Sequence, residues 1–193
     1  MHASPNCNAH ANGGHFAYWG DMALDKKERL AGAAAFQKMR ELLRHFPIAV
    51  LFTVEDGVAT ARPLGIASNP DEFTGSVWFI TDSRSRKVQA ISRGASVSLV
   101  CENHEKGAYL YLMGSAAVVE DRERLRELYT PVQRTWFPDG PDDPHITLIR
   151  FDGEHADYWD GHASSARLAL AFLKATVTGT PGVSGNAGTM NLK

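Results

Sequence analysis

The sequence has 193 residues, 44% of them hydrophobic, enough for one substantial core and within the usual size of a single domain. A formal charge of −2 and a sequence pI near 6.4 give no global attraction to polyphosphate, so nucleic acid is not an expected partner. Cys7 and Cys101 stand far apart in neither a disulfide nor a metal-ligand pattern, and no run approaches the roughly 18–20 apolar residues of a membrane span, so an unprocessed cytoplasmic protein is expected.

Residues 1–22, rich in Asn, Gly, Ala and His without periodicity, and residues 178–193, a Gly/Thr/Asn mixture, read as weakly ordered tails around a domain over 23–177. From Lys26 to Phe46 apolar residues recur at helical spacing, with Leu30, Ala33, Ala34, Met39, Leu42, Leu43 and Phe46 as the expected buried stripe. Pro47 ends that helix. Ile48 to Val54 then reads as a strand closed by Asp56-Gly57, a tight-hairpin signal, and Val58 to Ile66 as the returning strand. Pro63 donates no ladder hydrogen bond, which implies an edge, a bulge or a ligand-facing interruption there.

Val77 to Thr81 is a short strand, Ser83 to Ser92 a helix and Val97 to Cys101 another strand. Tyr109 to Val119 opens with apolar and aromatic residues in succession, as in a strand covered on both faces. Asp121 caps a charged helix running to about Tyr129, a Pro/Asp/Gly loop covers Phe137 to Pro144, and Ile146 to Phe151 with His155 to Trp159 read as a hairpin around Asp152-Gly153. A last helix is expected from about Ser164 to Ala175. Six or seven strands, mostly antiparallel in succession with interposed helices, describe a mainly β protein built on a small barrel.

The segment most informative about chemistry is Phe79-Ile80-Thr81-Asp82-Ser83-Arg84-Ser85-Arg86-Lys87, a strand emptying through a hydroxyl-rich turn into a helix that opens on cations. Cations suit the other end of a helix, and each loses about 0.3–1 kcal/mol here unless an anion offsets it. Ser83, Ser85, Arg86 and Lys87 therefore read either as a cradle for a phosphomonoester or as a solvated basic helix start with a serine cap. Arg62, beside Pro63 and Leu64, is a second candidate anion contact or an outward-facing charge. The aromatic residues Tyr109, Tyr111, Trp136, Phe137, Tyr158 and Trp159 could cover a flat heteroaromatic ring or pack in the core.

Arg62-Pro63-Leu64, the run from Ile80-Thr81 to Ser85-Arg86-Lys87, and the Gly107-Ala108-Tyr109 strand with Gly114 resemble the pyridoxamine 5′-phosphate oxidase-like flavin-binding split barrels. Trp136-Phe137-Pro138 and Tyr158-Trp159-Asp160 are similar to the branch called general stress proteins. Over about Lys26 to Ala175 the resemblance implies a six-stranded antiparallel split β-barrel and a homodimer with FMN, or FAD, in clefts between subunits. It implies Arg62, Ser85, Arg86 and Lys87 on the phosphate side, Pro63 and Leu64 beside them, and Ile80 and Thr81 along the flavin. Tyr109, where the family has a glutamine, and Trp136 complete the candidate cofactor contacts.

Departures from the pattern disfavour pyridoxamine phosphate oxidation, because Ala67 stands where the vitamin-synthesising oxidases carry a lysine and their terminal Arg/His substrate motif is missing. The reading is then a flavin protein exchanging hydride or electrons with a nicotinamide or another small molecule. The alternatives are a non-catalytic flavin-binding stress or sensor protein and a split barrel using a deazaflavin. The sequence contains no hydrolase elbow, P-loop, dinucleotide-binding glycine turn or zincin pair, and His155, Asp157, Asp160 and His162 are not expected to hold a metal.

Overall fold

The computed structural model describes residues 28–161 and 186–193. In chain order these form β1 (Glu28–Ala31), α1 (Gly32–Leu43), β2 (Ile48–Glu55), β3 (Val58–Gly65), β4 (Ser76–Asp82), α2 (Arg86–Ser92), β5 (Ser96–Asn103), β6 (Ala108–Val119), α3 (Arg122–Leu128), β7 (Ile146–Asp160) and β8 (Asn186–Asn191). The strands follow the order β1-β8-β7-β6-β5-β2-β3, with β4 paired to β7 off that path. The ring closes where Ile66 bridges Phe79 and the Ala67 N–H donates to the Trp78 carbonyl at 2.8 Å. Strands β2 to β7 thus make the expected six-stranded antiparallel barrel. The other two form a wing: β8 lies antiparallel on β7, and β1 runs parallel to β8.

The β2–β3 hairpin turns on Asp56 (φ 51°) and Gly57 (φ 77°), both in the left-handed region that a two-residue type I′ turn requires. That turn fixes the register, pairing Glu55 with Val58, Thr53 with Thr60 and Leu51 with Arg62. Side chains on paired residues share a face, so all six project to one side of the hairpin. Pro63 sits on β3 at the end of the strand path, where a missing donor is tolerated.

The second Asp-Gly pair behaves differently. Asp152-Gly153 makes no turn: Ile146–Asp160 is one 15-residue strand, against the expected hairpin. Gly153 pairs with Gly114 at a register shift in β6, where the strands approach so closely that a Cβ on Gly114 would lie 2.0 Å from the Asp152 carbonyl oxygen. The glycines serve close approach at a bulge rather than chain reversal. At that point β7 exchanges β4 for β8 as its second neighbour.

Three other expectations change. Residues 28–31, expected in the first helix, form β1, and α1 starts only at Gly32 (φ 56°), with Ala35 buried while Ala33 and Ala34 are exposed. β6 is not covered on both faces, because Tyr109 and Met113 point outward from it, each 39% exposed. Asn186–Asn191, placed by sequence in a weakly ordered tail, is strand β8, held by partners that lie far away in sequence. The tail over 1–22 and the helix from Ser164 to Ala175 fall outside the described residues.

Met39, Leu42 and Phe46 from α1 and its C-terminal turn join Leu51, Phe79, Leu99, Leu110, Leu112 and Phe151 in the main core. α3, capped by Asp121 accepting from the Arg124 N–H at 2.9 Å, lays Leu125 and Leu128 over Ile80, Ile146 and Leu148 in a smaller one. Lys38 of α1 reaches Asp160 of β7 at 2.5 Å, and the buried Tyr158 hydroxyl donates to Glu28 at 2.8 Å, fastening helix and wing to the barrel. Among the described residues no helix is long and apolar enough to cross a membrane.

Candidate functional site

A cleft of about 440 Å³ opens between the β2–β3 hairpin and α2. Its strand wall is the shared face of Thr53, Glu55, Val58, Thr60 and Arg62, and its helix wall carries Ser85, Arg86, Lys87, Gln89, Ala90 and Arg93. Arg62 is held by the strands: its guanidinium donates to the Leu51 carbonyl at 3.3 Å, to Thr53 Oγ1 at 2.9 Å and to Thr60 Oγ1 at 2.5 Å. The two threonine hydroxyls lie 3.0 Å apart, so they form a continuous shelf beneath it. A guanidinium has more N–H donors than these three bonds use.

The opposite wall adds charge without neutralising it. Neither Arg86 nor Lys87 has a carboxylate partner among the ion pairs of the described residues. Burial pushes the Lys87 ammonium below its usual pKa, and the Arg62 charge pushes it further against a weaker opposite pull from Asp82. Burial likewise lowers Arg62, with Arg86 adding to the effect. Ser85 occupies the N-cap position of α2 yet makes no side-chain capping bond, and its Oγ is buried with no hydrogen-bond partner. A solvated basic helix start with a serine cap would show neither feature. An orphaned hydroxyl among three cations that have no carboxylate partner in the described ion pairs suits a bound anion with several acceptor oxygens, and a phosphomonoester supplies that charge and geometry.

Of the sequence-derived residues, the structure brings Arg62, Ser85, Arg86 and Lys87 together in this cleft. Pro63 and Leu64 continue β3 beside it, and Thr81, next to last in β4, is buried. Ile80 turns its side chain into the α3 cluster, so only its backbone can face a ligand. Tyr109 projects from the outward face of β6, and Trp136, 66% exposed, follows the short helical turn Gln133–Thr135; neither lines the cleft. Sequence reasoning missed Thr53, Thr60, Glu55, Gln89 and Arg93. The Asp56-Gly57 turn carried the signal for the strand residues, since its register puts Thr53 opposite Thr60 on the Arg62 face.

At the outer end, Glu55 accepts from Arg93 Nε at 2.5 Å, and the carboxylate is held below its ordinary pKa by that bond first and by the Arg93 and Arg86 charges. Asp82 is set apart in the same way: bonds from the Arg84 side chain and N–H lower it to about 2, so it does not neutralise the cleft cations closely. His155 and Asp157 face outward from β7, whereas Asp160 turns inward to Lys38, and His162 lies outside the described residues.

The fold recurs in known proteins. A candidate general stress protein 26 from Jannaschia sp. superposes with a TM-score of 0.71 over 83% of this chain and 99% of its own, at 22% identity. A protein related to general stress protein 26, of the pyridoxinephosphate oxidase family, from Clostridium acetobutylicum gives 0.57 over 67% and 89%, at 23% identity. Protein bli-3 of Neurospora crassa is 25% identical over 111 residues, 53% of each chain, so this chain spans about half the length of that curated relative. The sequence pattern described as pyridoxamine 5′-phosphate oxidase like matches residues 34–182. With the barrel and its cationic cleft in the same span, the chain belongs to the pyridoxamine 5′-phosphate oxidase-like family.

Proposed function

We propose that this chain binds a flavin mononucleotide through its terminal phosphate, in the cleft between the β2–β3 hairpin and α2. The observation that carries this reading is the buried, unpartnered Ser85 Oγ beside Arg62, Arg86 and Lys87. Arg62, braced on the Thr53–Thr60 shelf, supplies a rigid fork, Lys87 a point charge and Arg86 the outer clamp. Pro63, Leu64, Ile80 and Thr81 then border the ring side of the ligand. Once bound, the flavin would supply hydride or electron exchange with a nicotinamide or another small molecule, and the protein supplies position and charge.

The homodimer belongs to the same proposal. Tyr109, Tyr111 and Met113 occupy successive outward positions of β6, and Trp159 pairs with Tyr109 on β7, an apolar strip that a second copy would cover. The cytoplasm, with its free flavin and nicotinamide pools, is the proposed compartment.

The test is a fluorescence-quenching titration of FMN into the wild type and the Arg86→Ala/Lys87→Ala variant. Charge-assisted hydrogen bonds contribute ~1.5–3 kcal/mol each, so affinity should fall at least about a hundredfold. Equal affinity in the two proteins removes the phosphate cradle. NADH or NADPH oxidation by the flavin-loaded protein then separates a redox role from binding alone.

A further inference from the structure

The cleft does not end at its phosphate corner. Moving along the shared face of the hairpin, the Thr53–Thr60 pair that braces Arg62 is followed by the Glu55–Val58 pair, roughly 7 Å on at ~3.3 Å per residue. Four cations line the cleft, Arg62, Arg86, Lys87 and Arg93, and among its described lining Glu55 is the sole acid. Its side chain is partly exposed, but Arg93 Nε holds the carboxylate at 2.5 Å from the α2 side of the cleft, and Arg86 lies near enough to act on its charge. A fixed negative charge therefore stands at the outer end of a site that is otherwise positive.

We infer that Glu55 is a specificity-determining residue, which lets the cleft take a ligand ending in a phosphate monoester and rejects one that continues through a second phosphate. The inference rests on the phosphate-site reading above. With the ring lying toward Pro63, Leu64 and Thr81, the far side of the phosphate faces Glu55. A monoester has nothing beyond that phosphate. A diphosphate-linked ligand must place its second anionic group against the tethered carboxylate or break the Glu55–Arg93 pair to avoid it. Like charges brought together at the solvent-facing mouth of the cleft discriminate by repulsion rather than by added contacts.

Titrations with FMN and FAD on four proteins test this: wild type, Glu55→Gln, Glu55→Gln/Arg93→Gln, and Arg86→Ala/Lys87→Ala. The wild type should favour FMN, Glu55→Gln should narrow the FMN-to-FAD affinity ratio roughly five- to tenfold, and the double variant at 55 and 93 should keep that gain. An unchanged ratio in Glu55→Gln overturns the proposal. So does loss of the gain in the double variant, since Arg93 would then be a second phosphate contact instead of a tether. If neither flavin binds the wild type, or binding ignores Arg86→Ala/Lys87→Ala, the phosphate site itself fails and the selectivity proposal falls with it.

Discussion

Two half-buried lysines flank this barrel, and their surroundings act on them in opposite directions. Burial alone would lower Lys38, but the hydrogen bond and charge of Asp160, together with Glu41, outweigh it and its pKa is raised. Burial lowers Lys87 and the neighbouring Arg62 lowers it further, with only the Asp82 charge pulling back. One lysine is part of the fold's own fastening; the other is held charged at a cost that folding alone does not recover. A cation kept without a counter-ion inside a cleft marks a place where the counter-ion comes from outside.

Asp160→Asn tests the paired side most severely. It leaves part-buried Lys38 with only the exposed Glu41 carboxylate, 3.3 Å away, and should cost about 1–3 kcal/mol of stability by urea denaturation, with FMN affinity of the folded fraction unchanged. A loss no larger than that of an ordinary surface substitution would reduce the Lys38 pair to decoration. Lys87→Met should do the reverse, keeping or slightly raising stability while weakening FMN roughly ten- to hundredfold, from ~1.5–3 kcal/mol for one charge-assisted bond. If it destabilises the protein as much as Asp160→Asn, the two lysines have the same role.

The smallest effect is with pH, and its sign differs between the two. The folded pKa of Lys87 lies below the ordinary 10.5, so the folded protein binds fewer protons than the unfolded chain in that window and gains stability as pH rises through it. For Lys38 the folded pKa lies above 10.5, so its stabilisation is present below 10.5 and lost as pH rises through the folded value. A bound phosphate favours charged Lys87, so FMN affinity should decline through the alkaline window. It should also fall below a pH of about 6, where phosphate regains its second proton. Titrations at several pH values, in wild type and Lys87→Met, check this: the alkaline decline should vanish in the variant and the acid one remain.

Local chemistry was legible in the sequence and long-range pairing was not. Asp56-Gly57 announced its turn because the residues that decide it are neighbours. Asp152-Gly153 carries the same two letters, but its outcome depends on Gly114, which only the folded sheet brings opposite. Residues 28–31 and 186–191 lack strong strand signals of their own and are strands because β8 pairs with distant β7 and β1 in turn pairs with β8. In the cleft, the cationic side chains could be read from their unfavourable position at a helix start. Glu55 and Arg93 could not, because an exposed acid and an exposed base look alike in sequence whether they meet or not.

Both ends of the strand path are poor templates for adding another chain. At one end β3 contains Pro63, which offers no N–H, and curls back to β4 through Ile66. At the other, the four described residues of β1 open on the charged Glu28 and Arg29. The proposed dimer would therefore join sheet faces rather than strand edges, a geometry that closes at a finite number of copies instead of propagating into fibres.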